Sequence, residues 1–325
     1  MGYEMEIERE KAARVSLRQK KIRSNLTGWL FVAPFLLVFV IFTIYPFFYG
    51  IAMSFCRYDV LGRVDTEFIG FENYQTIFEF GTEANHWAKD FWNGLGNTAL
   101  FAVLTIPFII VIPLMFAYLL NKKPWGFRFF RSLFFMPTVL SLTTTAIIWR
   151  YIFATGNGFI NSIISSAGGK EISFLTDPTL VWVVLVVVTI WWTIGTNMVI
   201  FQAGLEEIDT SLYEAASTDG AGTFSQFLHI TLPGLRNQFV ICFITTTVAE
   251  FNVYGQPLML TQGGPNESTY SLIMYIRDYL FQRGQSGIVA AMGLLLGLIL
   301  IVLSVLQNVM LKERKGRVRR EIRKA

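Results

Sequence analysis

Thr246, Glu250 and Tyr254 stand four residues apart inside an otherwise apolar stretch, a spacing that sets all three on one face of a helix. A carboxylate in such surroundings is costly to keep and is a functional candidate by default. It could accept hydrogen bonds from the hydroxyls of a solute or neutralise a cationic group on one. It could equally pair with a partner subunit or face a water-filled gap. Thr189, Thr193 and Thr196 form a second polar stripe, whose hydroxyls would line the same path or bond their own and neighbouring helices. Trp192 lies beside that stripe; Asn197 and Asn252 lie off both, where bonds across helices are expected. This is binding chemistry. The apolar runs hold almost no acids, histidines or nucleophile–base pairs of the kind an embedded enzyme needs. Catalysis and cofactors are therefore not expected. His86 and His229 are isolated, and Cys56 and Cys242 are far apart without a CxxC spacing, which speaks against a metal site or a disulfide framework.

A different chemistry is offered by residues 214–233, EAASTDGAGTFSQFLHITLP, a short polar segment between two hydrophobic runs. Asp209 can cap a helix beginning at Thr210 by accepting its unpaired first-turn amides. Leu212, Ala215 and Ala216 then share a narrow face able to sit deep in a groove of another protein. Glu214 is placed to meet a basic group there, and Gly220 supplies the left-handed residue that ends the helix. Thr223 and Gln226 have capping-box spacing for a second short helix, with Phe224, Phe227 and Leu228 as its apolar face. Pro233 suits the first turn of the run that follows.

The elements that must hold these residues are set by composition. Of 325 residues, 53 % are hydrophobic and only 15 % charged, against about a quarter charged in soluble chains. The apolar residues gather into six runs, about Trp29–Phe55, Leu95–Leu120, Ser132–Phe153, Thr179–Ala203, Gln238–Leu260 and Ser286–Leu311. A helix needs roughly 20 residues to cross a bilayer. The runs are continuous, which excludes an outer-membrane barrel with its short alternating segments, and helices pair every backbone polar group internally. The first run is far longer than the roughly 7–15 residues of a signal-peptide core, so it reads as a retained span. The expectation is an all-α polytopic membrane protein. It has a basic segment 1–26, a six-span domain 27–311 with the polar segment at 205–233, and a basic tail 312–325.

Charge orients the spans. Lys and Arg crowd residues 9–23, 122–131 and 312–324, whereas the stretch from Arg57 to Trp92 has three basic residues against seven acidic ones. Short loops rich in Lys and Arg stay in the cytoplasm, which places both termini and the 204–237 segment inside. Beside a membrane span, a basic tail means topology and anionic lipid contact rather than nucleic acid.

The spacing Glu214-Ala215-Ala216, three residues, Gly220, nine residues, then Ile230-x-Leu232-Pro233 resembles the cytoplasmic coupling loop of the membrane subunits of bacterial ABC importers. All seven fixed positions match. FIGFENYQTIF (Phe68 to Phe78), Asn97-Thr98, FRSLFFMPTVLS (Phe130 to Ser141) and LTQGGPNEST (Leu260 to Thr269) are similar to carbohydrate-importer permeases over nearly the whole chain. The Gly-Gly-Pro turn is similar to the maltose-permease-like member of a permease pair. The loop from about Cys56 to Gly94 is too short for the large outer domain of the maltose permease itself.

The resemblance implies a heterodimer with a second six-span permease, two cytoplasmic ATPase subunits and an extracytoplasmic solute-binding protein, in a bacterial inner membrane. No G-x-x-x-x-G-K-[ST] occurs, so ATP is expected to be bound by a partner. The implied cargo is a carbohydrate, an oligosaccharide foremost, with a sugar acid, glycerol phosphate or related polyol as the alternative. In maltose-type permeases the pocket draws on the two spans flanking the coupling loop, and alignment on that loop puts Thr246 and Glu250 among those positions. The solute path would then comprise Thr189, Trp192, Thr193, Thr196, Thr246, Glu250 and Tyr254, with Trp192 able to stack on a sugar ring. Where the maltose-type example has Asn this chain has Glu250, so the solute's identity does not carry over.

Overall fold

The computed structural model describes residues 28–79, 85–283 and 285–322, with side chains for 28–79, 85–281 and 285–311. The basic segment 1–26 lies outside the described residues. The 312–325 tail is described only to 322, as a backbone continuation of the last helix.

Helix α1 (Gly28–Ser54) is apolar all round, and none of its most apolar window is buried within the chain. It widens into a π turn at Val40–Ile44, where the Tyr45 N–H bonds the Val40 carbonyl. Pro46 follows directly. A proline ring collides with the carbonyl four residues back, and a wider turn relieves that collision. A two-residue antiparallel pairing, β1 (Cys56–Arg57) with β2 (Glu67–Phe68), and the short α2 (Glu72–Phe78) follow. The 36-residue α3 (His86–Asn121) is capped by Asn85, whose side chain accepts from the Ala88 amide. At 1.5 Å per residue α3 is about 54 Å long, well beyond a hydrocarbon layer of about 30 Å. Its first turns therefore form part of a cap at one end of the molecule.

Two of the six expected runs are not single straight helices. The third divides into α4 (Phe127–Val139) and α5 (Leu142–Ile152), bent by 101°. Ser141 takes extended backbone and caps α5 by accepting from the Thr144 amide. After α6 (Phe159–Ser166), the 27-residue α7 (Leu180–Glu206) passes as one helix. Then come α8 (Thr210–Thr218), α9 (Thr223–Gly234) and α10 (Arg236–Phe251), with a 66° bend between α9 and α10. The fifth run, expected to reach Leu260, stops as a helix at Phe251. The chain resumes as α11 (Gly255–Thr261), then α12 (Leu272–Asp278). Pro257 explains the restart, since proline is tolerated in a first helical turn but not in a helix interior. The last helix, α13, runs Ser286–Ile322, with its apolar span at Ser286–Leu311. Among the described residues, four helices are long and apolar enough to cross a membrane alone, and up to six crossings result if each bent pair is one span.

Three buried clusters organise these helices. One gathers Ile77, Trp87, Phe91, Leu272, Tyr275 and Met292 into the cap. A second holds Leu114, Leu120, Met198, Phe201, Leu205, Leu235 and Cys242, with Phe127 and Phe227 packed on it. The third holds Phe101, Ala146, Phe153, Val184, Val188 and Val253. Helix α7 approaches α4 closely: a Cβ on Gly195 would sit 2.9 Å from the Phe135 Cα and 3.0 Å from the Phe134 carbonyl oxygen.

Candidate functional site

The polar segment after α7 folds as a capped helix pair. Asp209 accepts from the Ser211 amide at 2.9 Å and starts α8. That amide and the Ser211 hydroxyl hold its carboxyl below the usual carboxylate range. At the other end Gly220 adopts φ +80°. The Gly220 amide bonds the Ser217 carbonyl and the Ala221 amide bonds the Ala216 carbonyl, at 3.1 and 2.8 Å, which is a Schellman stop. The first helix thus has the bounds its sequence predicts.

Its faces differ from expectation. Leu212, Glu214 and Ala215 are exposed, while Tyr213 and Ala216 turn inward. Tyr213 Oη shares a hydrogen bond with Thr231 Oγ1 at 2.9 Å, tying α8 to α9. The expected capping box does not form: Gly222 is the N-cap of the second helix and makes no side-chain cap. Gln226 instead reaches back to α8, donating to Ser217 Oγ at 2.9 Å and the Ala221 carbonyl at 3.1 Å. Phe224 is exposed, but Phe227 packs edge-on against Tyr118 of α3, with ring centroids 4.9 Å apart. Helix α9 widens into a π turn at Phe227–Thr231, immediately before Leu232 and Pro233, as α1 does before Pro46. Pro233 therefore lies at the end of α9 rather than in the first turn of α10, which begins at Arg236. Beside the segment, Glu207, Ile208, Asp209, Leu212, Ile230 and Pro233 line an open groove of about 530 Å³.

The groups inside the helices fall into two sets. Glu250 is buried on α10, one turn beyond Thr246, and its Oε2 has no hydrogen-bond partner. Thr189 on α7 is fully buried with an equally unpartnered Oγ1. Thr193 donates to the Thr189 carbonyl at 2.8 Å. Thr246 accepts from Asn197 Nδ2 at 3.0 Å. Two expected members stand apart. Thr196 is exposed on the surface of the single chain. Tyr254 lies past the end of α10, so it does not continue the Thr246–Glu250 face, and the Arg277 guanidinium stands 5.9 Å from its ring centroid. Trp192 Nε1 donates at 3.2 Å to the Leu140 carbonyl, which the α4–α5 bend has freed from helical bonding.

At the opposite end, residues far apart in sequence are stitched together. Asn97 Nδ2 donates to the carbonyls of Glu267 and Tyr270 at 2.9 and 3.1 Å, and the Leu272 amide donates to Thr98 Oγ1 at 3.1 Å. Asn73 Nδ2 closes α2 onto the carbonyls of Ser54 and Cys56. The motifs at 68–78, 97–98 and 260–269 are therefore parts of one cap.

Residues 80–315 match the family described as binding-protein-dependent transport system inner membrane component. The chain belongs to this family. Such a component is the membrane part of a transport system and not itself an enzyme, in keeping with the apolar helices of a multi-pass membrane protein. Among its relatives, a lactose transport system permease protein of Rhizobium radiobacter is 31 % identical over 297 residues, 90 % of this chain and 96 % of that one. An arabinooligosaccharides transport system permease protein of Bacillus subtilis is 32 % identical over 284 residues, 86 % of each chain. The same fold occurs in a solved bacterial ABC transporter involved in import of the acidic polysaccharide alginate. The TM-score is 0.78 at 21 % identity, over 90 % of this chain and 97 % of that one.

Proposed function

We propose that this transport component is a permease subunit of an ATP-driven importer of carbohydrate, oligosaccharides foremost. With a second six-span permease it would form the path for a solute delivered by an extracytoplasmic binding protein, and two cytoplasmic ATPases would dock on the 205–233 segment. The carbohydrate assignment rests on relatives whose names specify lactose and arabinooligosaccharide transport.

The observation that carries the coupling role is a mechanical one. The exposed Leu212, Glu214 and Ala215 face sits on a helix bonded to α9 through Tyr213–Thr231 and Gln226–Ser217. Helix α9 in turn continues through the bend into α10, which bears Glu250. A push on α8 is thus delivered to the helix that lines the path, as alternating access requires. Glu214→Lys or Gly220→Trp should abolish uptake while the protein still inserts. Wild-type ATPase co-purification and normal uptake in both variants would overturn the coupling role. Glu250→Ala should impair uptake without loosening the ATPases, and unchanged kinetics would remove Glu250 from the path.

A further inference from the structure

Pro113 leaves a hole in the hydrogen bonding of α3. It lacks an N–H, so the carbonyl of Ile109, four residues back, has no partner within its own helix. An unpaired carbonyl inside a bilayer is costly. Asn197, buried on α7, fills the gap: its Nδ2 donates to Ile109 O at 3.1 Å. The same Nδ2 donates to Thr246 Oγ1 on α10 at 3.0 Å. One amide group, with both N–H bonds committed, pins three helices at a single level.

That level marks where the Thr189–Thr193–Glu250 stripe ends toward the coupling segment. Helices α7 and α10 run antiparallel, because Gln238, eight residues before Thr246, meets the far end of α7. Its Nε2 donates to Glu207 Oε2 at 3.3 Å, and its side chain fills the space where a Cβ on Gly204 would stand. Going away from the coupling segment, the next turn past Asn197–Thr246 therefore carries Thr193 and Glu250, about 6 Å on, and Thr189 follows at about 12 Å. The unpartnered oxygens of Glu250 and Thr189 both lie on that side. Toward the coupling segment the neighbours are the apolar Met198, Phe201, Leu205, Leu235 and Cys242, together with Gln202 and Gln238, whose buried Oε1 atoms have no partner.

We infer that Asn197 is the positioning residue of the transport path. Its amide latches α10 to α3 and α7 just on the coupling side of Glu250, and the Thr246 half of the latch parts when the coupling segment moves. The inference rests on the path proposed above. Helix α3 is the fixed post, because the Ile109 carbonyl has no other donor within its own helix. Helix α10 is the moving wall, being continuous with α9 and tied through it to α8. Breaking one bond to a neutral hydroxyl is a small cost, suited to a contact made and broken in each cycle.

The test uses the assembled transporter, with its partner permease and ATPases, in liposomes. Thr246→Val removes the acceptor and keeps the shape. Asn197→Leu removes the latch but also orphans Ile109 O, so it is paired with Pro113→Ala, which returns an N–H to that carbonyl. The expected result is that Thr246→Val and the Asn197→Leu/Pro113→Ala pair both assemble, the pair with an unfolding temperature close to wild type and Thr246→Val with a somewhat lower one, since it leaves one Asn197 N–H unpaired. Both should hydrolyse ATP several-fold faster than wild type in the absence of loaded binding protein, with fewer solutes taken up per ATP. Asn197→Leu alone should also be less thermostable. A merely structural Asn197 would move thermostability and leave the dependence on binding protein intact; that result in the paired variant or in Thr246→Val overturns the latch. Glu250→Ala separates the two proposals. Impaired uptake there, with coupling intact in the latch variants, removes the latch alone, whereas unchanged uptake removes the path on which it rests.

Discussion

Asp209 holds the start of α8 through a bond to the Ser211 amide, and that bond, with the Ser211 hydroxyl, sets the pH range in which the helix end is intact. Its carboxyl is held below the ordinary carboxylate range, so the folded helix favours the ionised form. The cap is complete above the ordinary Asp range and is lost as pH falls through the lowered value. At neutral pH, Asp209→Ala should speed amide hydrogen exchange at Ser211 and Leu212 several-fold. Asp209→Asn should change it far less, since an amide oxygen still accepts. Wild-type exchange in the Ala variant would show that the cap contributes nothing. Asp209 and Gly220 were legible in the sequence because the groups they satisfy lie within a few residues. Gln226 was not. Its partners Ser217 and Ala221 come within reach only after Gly220 has reversed the chain, and spacing alone suggested a local box with Thr223. Asn197 was legible as a bond across helices, but its role was hidden in Pro113, eighty-four residues earlier.

Hydrophobic runs locate helices well, but hydropathy does not register where a helix breaks. The third run is apolar from Ser132 to Phe153, yet Leu140 and Ser141 take extended backbone in its middle. The fifth run carried its own punctuation in Asn252, Gly255 and Pro257, and helical counting through those residues placed Tyr254 on a face it does not share. Of the three π turns among the described residues, two were legible in principle, since each stands directly ahead of a proline, at Pro46 and Pro233; the third, Tyr279–Arg283, has no proline after it. A bend that exposes carbonyls inside a membrane needs a donor from elsewhere. For the α4–α5 bend that donor is Trp192, whose indole N–H reaches Leu140 O. Trp192→Phe keeps the ring bulk and removes the donor. It should cost about 1–3 kcal/mol, the penalty of an unsatisfied buried acceptor, read as a lower unfolding temperature in detergent. If the Phe variant unfolds with the wild type, the bend is held by packing and the indole bond is incidental.

The two ends of the molecule bear on how many times the chain crosses the membrane. At one end, the Gly287 amide bonds the Tyr58 carbonyl, Asn97 holds the turn at 267–270, and Phe101, Phe153 and Val253 share a cluster. At the other, Leu120, Leu205 and Leu235 share a cluster with Phe127 and Phe227, and Arg236 bonds the Leu311 carbonyl. The α4–α5 pair thus starts beside one cluster at Phe127 and finishes in the other at Phe153. The α9–α10 pair goes from Phe227 to Val253 in the same way. A re-entrant hairpin would begin and end in the same cluster, so we propose six crossings, with the 205–233 segment on the side of the basic loops. Single cysteines test it against a low background, because the native Cys56 and Cys242 are both buried. Val64→Cys and Lys170→Cys, at exposed positions, should react with a membrane-impermeant maleimide added to intact spheroplasts. Trp125→Cys and Ser217→Cys, also exposed, should react only after permeabilisation. If Lys170→Cys labels with Trp125→Cys rather than with Val64→Cys, the bent α4–α5 pair does not cross. The parity of every later helix, and with it the cytoplasmic placement of the coupling segment, would then be reversed.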